Sequence, residues 1–147
     1  MIMRLERALR SWVHQKRRSS RVVVRRRFYL RDDWVLSPDI AYLAPPREKD
    51  PFFVDLCSPL KLCPKLVMEF CDNSKDLDWF KHKMSFWIAN GVELGWLVAP
   101  QHERIFAYSP GVEPLIFDGF AQGQGRLHGF VLPLNELWCL KEDGDSF

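Results

Sequence analysis

Apolar residues near the start of the chain recur at helical spacing. Ile2, Leu5, Leu9, Trp12 and Val13 share one stripe while Arg4, Arg7 and Arg10 fall outside it, which predicts an amphipathic helix over residues 2–15. A valine-rich run flanked by arginines, Arg21–Tyr29, then reads as a strand, Asp32-Asp33 as a turn, and Val35–Leu43 as the next strand. From 44 to 64 the chain reads as loop, because Pro45, Pro46, Pro51, Pro59 and Pro64 interrupt any regular element. Lys65–Cys71 is a short apolar run of strand length. Asn73 or Ser74 can cap a helix running to about Asn90, with Leu77, Phe80, Met84, Trp87 and Ile88 as its buried stripe and Asn90-Gly91 as a left-handed stop. Glu93–Val98, Arg104–Tyr108 and Leu115–Asp118 read as further strands, and GRLHGFVLPLNELW (125–138) as a last strand and a short helical turn. No internal repeat is present, and the elements together describe a small α/β layer.

Three charged residues break this apolar pattern: Asp39 in SPDIAYL (37–43), Glu69 in LVMEF (66–70) and Lys83 at the head of KMSFWIANGVELGWLVAP (83–100). A carboxylate in an apolar strand is costly unless it is paired, hydrogen-bonded or coordinating a cation. Side chains alternate along a strand, so Asp39 points with Val35, Ala41 and Leu43, and Glu69 with Val67 and Cys71. If the two strands are neighbours, both carboxylates converge and present oxygen ligands to one hard cation. The following helix carries Lys81 and Lys83 at the two borders of its buried stripe, and periodicity does not choose between them. Two carboxylates and an amine suffice for metal-assisted hydrolysis. A plainer reading stands beside this one: Asp39 as a turn former after Pro38, and Glu69 as the partner of a nearby lysine.

Composition bounds the possibilities. A chain of 147 residues, 47% apolar and 14% aromatic, has the size and make-up of one globular domain. Charged residues interrupt every long apolar run, so none is a membrane span. The opening MIMRLERALRSW lacks the apolar stretch and cleavage site of a secretory signal, although an arginine-rich amphipathic start is also compatible with an organellar transit peptide. Cys57, Cys63, Cys71 and Cys139 form no Cys-x-x-Cys pair, which favours reduced thiols in a cytoplasmic protein. The net charge of +2 conceals an asymmetry: residues 1–31 hold eleven Lys/Arg against Glu6 alone, leaving ten basic and eighteen acidic residues, a balance of −8, in the remainder. A basic arm on an acidic body suits a polyanion such as DNA; it is equally what a solvated tail looks like.

SPDIAYL, LVMEF, KM followed by WIANGVELGWLVAP, RIFAY, LHGF and LNELW, in that order, resemble the bacterial Uma family of candidate restriction endonucleases, which is similar in fold and motif to the PD-(D/E)XK nucleases. The resemblance runs from about Phe28 to Trp138. It implies an α/β, PD-(D/E)XK restriction-endonuclease-like core, a mixed β-sheet flanked by helices. Residues 1–27 would be a basic N-terminal helix and arm, 28–140 the nuclease-like domain and 141–147 a C-terminal tail.

Residue by residue, the resemblance implies Asp39 and Glu69 as ligands of Mg²⁺ or Mn²⁺. The superfamily's lysine usually stands two residues after the second acid, where this chain has Cys71. In the Uma-like pattern a lysine comes instead from the next helix, before a methionine and four residues before an aromatic. Lys83, with Met84 and Trp87 after it, fits that placement better than Lys81. The implied protein is a Mg²⁺-dependent DNA endonuclease, cytoplasmic and without a membrane segment, for which a homodimer would suit cleavage of both strands. Family members usually carry a longer N-terminal region, with a Glu-bearing segment ahead of the first helix. The alternative is therefore a truncated, non-catalytic remnant that at most binds nucleic acid through residues 4–31. His82 and His102 read as exposed, the glycines of GQGRLHG (123–129) as a turn and not a phosphate cradle, Asp72 as a cap or a neighbour of the site, and Trp34, Trp79, Trp87, Trp96 and Trp138 as core or edge packing.

Overall fold

The computed structural model describes residues 2–16, 21–43 and 59–138. Helix α1 (Ile2–Lys16) buries Leu5, Leu9 and Val13, three members of the predicted stripe. Of the ten short strands among the described residues, five occupy the first half of the chain: β1 (Arg21–Val24), β2 (Phe28–Tyr29), β3 (Val35–Leu36), β4 (Ile40–Leu43) and β5 (Leu66–Phe70). Helix α2 (Leu77–Ala89) follows, then β6 (Leu94–Ala99), β7 (Arg104–Tyr108), β8 (Leu115–Phe117), β9 (Phe120–Gln122), β10 (Val131–Pro133) and helix α3 (Leu134–Trp138). Six strands form one sheet in the order β1-β4-β5-β6-β7-β8. Only β5 and β6 are parallel; a parallel pair needs a crossover, and α2 is that crossover. The result is the mixed sheet flanked by helices that the family resemblance implies.

Every residue of β5 and β6 is buried, which explains why they read as continuous apolar runs and not as alternating ones. Their side chains feed two cores. On one face Ile40, Tyr42, Leu66, Met68, Trp96 and Val98 pack with α1 and α3. On the other, Ala41, Leu43, Val67, Cys71 and Leu97 pack with Met84 and Trp87 of α2.

Both strands expected before the central loop are broken in the middle. Arg25 adopts a left-handed backbone (φ 52°), so the run Arg21–Tyr29 divides into β1, which joins the main sheet, and β2, which does not. The run Val35–Leu43 divides at Ser37-Pro38, since proline brings no N–H to a ladder. Consequently β2 and β3 pair with each other as a separate ribbon, and Asp39 lies at the bend just before β4. The N-terminal basic segment is integrated into this body: β1 is the edge of the main sheet, antiparallel to β4, and the α1 stripe is part of the core.

Around the second helix the expected punctuation holds. The Asn73 side chain accepts the Lys75 N–H at 3.0 Å, a short 3₁₀ turn (Ser74–Asp76) leads into α2, and Gly91 takes φ 113° just beyond its end. The strand β9 has no counterpart in the sequence reading; it pairs with β10, and the GQGRLHG segment between them makes a 3₁₀ turn at Gly125–Leu127. Here Gly123 is required for space, because a Cβ would overlap the Leu127 carbonyl. Trp87, Trp96 and Trp138 are core residues, whereas Trp34 and Trp79 are exposed. No helix among the described residues is long and apolar enough to cross a membrane. Pro45, Pro46, Pro51, Cys57, Cys139 and the expected tail at 141–147 lie outside the described residues.

Candidate active site

β4 and β5 run antiparallel with Ala41 opposite Val67 and Ile40 opposite Met68. One further step along that register sets Asp39 against Glu69, on the sheet face that α2 covers. Residues directly opposed in an antiparallel pair have Cβ atoms about 5 Å apart. At this step the β4–β5 pairing has ended at Ile40–Met68, although Asp39 still continues the register with β1, its carbonyl accepting the Arg25 N–H at 3.1 Å. The Asp39 side chain replaces the lost ladder bond: its Oδ2 accepts the Phe70 N–H at 2.8 Å. The bend that ends pairing is thus the feature that turns Asp39 onto the strand carrying Glu69.

Glu69 is the only buried charged residue among those described, 2% exposed. Its Oε2 accepts the indole N–H of Trp87 at 2.9 Å and is 2.9 Å from the ammonium Nζ of Lys83. These donors are four residues apart on α2, so they lie one above the other on one helix face. Burial pushes the Glu69 carboxyl above its ordinary value. The Lys83 charge and the Lys83 and Trp87 hydrogen bonds oppose that shift, and the nearby Asp39 charge adds to it. A buried carboxylate survives only with such partners.

Lys83 is itself largely buried, with Nζ 5.5 Å from the centre of the Trp79 ring and 5.6 Å from that of Phe80. Lys81 points elsewhere, its Nζ 4.9 Å over the Phe106 ring, because residues two apart on a helix do not share a face. The structure therefore brings Asp39, Glu69 and Lys83 together and leaves Lys81 out. Cys71, two residues past Glu69, is buried on the same face. Its thiol donates to the Asn73 carbonyl at 3.1 Å, and burial raises its pKa.

Two participants escaped the sequence reading. Trp87 was visible only as a core residue of the helical stripe; the signal for its second role is its i+4 spacing from Lys83. The Phe70 N–H carries no side-chain signal at all. His82, His102 and Asp72 are exposed, and Asn73 is the residue that caps.

Among the described residues no group of three or more His, Cys, Asp and Glu side chains is placed to hold a metal. Mg²⁺ is commonly held by only one or two carboxylates, completing its shell with water and substrate phosphate. Asp39 and Glu69 fit that requirement. They are hard oxygen donors on facing strands, and the protein's own donors engage Oδ2 of one and Oε2 of the other.

The six-stranded mixed sheet with helices on both faces is arranged here as in the restriction-endonuclease-like fold. The crystal structure of "a putative nuclease belonging to DUF820" from Anabaena variabilis shares it, with a TM-score of 0.74 at 18% identity over 94% of this chain and 78% of that one. Residues 2–135 match the model of Uma2, "Putative restriction endonuclease"; the chain belongs to this family. The family match takes in α1 and β1, so it begins well before Phe28. No curated protein matches the chain.

Proposed function

We propose that this chain is a Mg²⁺-dependent endonuclease that hydrolyses phosphodiester bonds of DNA, with Asp39 and Glu69 as the metal ligands and Lys83 as the catalytic amine. The observation that supports it most is the contact of Lys83 Nζ with Glu69 Oε2 at 2.9 Å, beside an aspartate in register on the neighbouring strand. A bound Mg²⁺ would polarise the scissile phosphate and lower the pKa of a water.

The chain's own groups do the positioning. The Phe70 N–H fixes the Asp39 carboxylate, and Trp87 fixes that of Glu69. Lys83 brings a positive charge to the place where negative charge grows on the phosphoryl oxygens, or orients the attacking water; such pre-set charges act strongly in a partly desolvated site. α1 lies on the other sheet face, so of the basic N-terminal segment it is the exposed Arg25, whose N–H meets the Asp39 carbonyl, that would contact the phosphate backbone, which holds a duplex without reading its sequence.

The test is conversion of supercoiled plasmid to nicked or linear DNA by the purified chain in Mg²⁺ or Mn²⁺. Wild-type protein should cut and Asp39→Asn should not. Equal cutting by both, or no cutting across several divalent metals, would overturn the proposal.

A further inference from the structure

A pocket of about 290 Å³ opens beside Lys83, lined by Trp34, Leu36, Trp79, His82, Lys83 and Phe86. Four of these residues follow the i, i+3, i+4, i+7 spacing of one α2 face, and the other two come from the segment that carries β3. The pocket lies at the small end of ligand clefts, which run from roughly 300 Å³ upward. Its walls are mostly aromatic, yet Trp34 is 57% and Trp79 60% exposed. A neighbouring phenyl ring braces each indole at a steep angle, Phe86 against Trp34 at 5.9 Å and Phe80 against Trp79 at 5.1 Å. Two indoles so braced, each with more than half of its surface in water, form an exposed apolar patch of the kind that marks a binding surface.

Lys83 belongs to this pocket and to the carboxylate site at once, since its Nζ meets Glu69 and also lies 5.5 Å from the Trp79 ring centre. An occupant that suits both must offer a flat apolar face and carry an anion beside Lys83. A nucleotide does this, its base against the indoles and its phosphate toward the amine. Bases inside an intact duplex are already stacked on each other and have no free face to give. We infer that the cleft takes one unpaired nucleobase of the DNA next to the scissile phosphate, so that the preferred substrate is DNA with a locally unstacked base, such as a bulge or a single-stranded stretch. The inference rests on the nuclease reading for the position of the scissile phosphate.

The full chain would be titrated, in chelator, against three labelled DNA hairpins: one with a single-nucleotide bulge, one with an abasic residue in that bulge, and one fully paired. The base-containing bulge should bind roughly ten- to a hundredfold more tightly than the abasic one, the contribution of a single base–aromatic stack. Trp34→Ala combined with Trp79→Ala should erase that difference while leaving the abasic affinity unchanged, and the corresponding pair of Phe substitutions should keep it. Both indoles are exposed, so the variants should retain the wild-type circular dichroism spectrum. Equal affinity for base-containing and abasic bulges, or a preference that survives the double Ala variant, would overturn the inference. A groove for self-association or for a peptide would show itself as equal affinity for the two bulges. Cutting in Mg²⁺ without any base preference would sink the cleft and leave the nuclease reading standing. Base preference without cutting in any divalent metal would do the reverse.

Discussion

Lys83 reaches Glu69 from the helix that follows it, Nζ to Oε2 at 2.9 Å, while the strand position two residues past Glu69 is filled by the buried thiol of Cys71. The amine is thus tethered to α2, and its placement depends on how that helix packs on the sheet. Met84 and Trp87, the two fully buried residues of α2, set that packing, and Lys83 is next to one and a helical turn from the other. The site is therefore built between a strand and a helix.

A first prediction separates the two lysines. Lys83→Met keeps most of the side-chain volume and removes the charge; losing one pre-set stabilising group typically costs about 10²–10³ in rate. Cleavage should fall by that order in Lys83→Met and stay within a few-fold of wild type in Lys81→Met, as measured by initial rates of plasmid nicking. Equal losses in both variants would show that Lys83 has no special part.

Trp87 joins core and site. Trp87→Phe keeps an aromatic ring in the core but deletes the N–H donated to Glu69. The loss combines a hydrogen bond to a charged group with a small cavity, for about 2–4 kcal/mol. Trp79→Phe, at an exposed position, should stay within about 0.5 kcal/mol. Urea unfolding of the two variants measures the difference, and equal values would remove Trp87 from the site.

Much of this arrangement is legible in the chain, and the illegible parts have identifiable causes. Strand parity sets Asp39 with Ala41 and Leu43 and Glu69 with Val67, the face they occupy, but that β4 and β5 are neighbours is supplied only by the fold. The helix α2 is marked by its cap, its stripe and Asn90-Gly91. Pairing breaks are harder to read. Pro38 marks one, but Arg25 takes a left-handed backbone that nothing about arginine announces. Strand β9 has three residues, two of them exposed, too few to show alternation. Nor can periodicity tell Lys83 from Lys81, since both flank the stripe and only the docking of α2 on β5 selects one. The indole of Trp87 reads as core for the same reason: its ring is core, and only its nitrogen belongs to the site.

A third prediction concerns pH. Burial raises the Glu69 carboxyl above the ordinary value of 4.5, so between 4.5 and that higher value the folded chain holds a proton that the unfolded chain has released. Stability from this group is fully present below 4.5 and is lost as pH rises through the folded pKa. Glu69→Gln cannot titrate. In metal-free buffer the unfolding free energy of wild type minus that of Glu69→Gln should fall as pH rises above 4.5 and then level off. A difference that stays flat or climbs across this range would contradict the raised value.

The last prediction separates fold from chemistry at Asp39. Its carboxylate does two things: it accepts the Phe70 N–H at 2.8 Å, and it presents an anionic oxygen toward Glu69. Asp39→Ala abolishes both, leaving a backbone donor of β5 without an acceptor, which costs about 1–3 kcal/mol. Asp39→Asn keeps an amide oxygen that can accept the same N–H, so its stability should stay within about 0.5 kcal/mol of wild type, while the charge needed by a hard cation is gone. If Asp39 is a metal ligand, both variants should be inactive although only Asp39→Ala melts early. Nicking assays and thermal melts on the same preparations decide the matter. An active Asp39→Asn would reduce Asp39 to a structural acceptor that closes the end of the β4–β5 ladder.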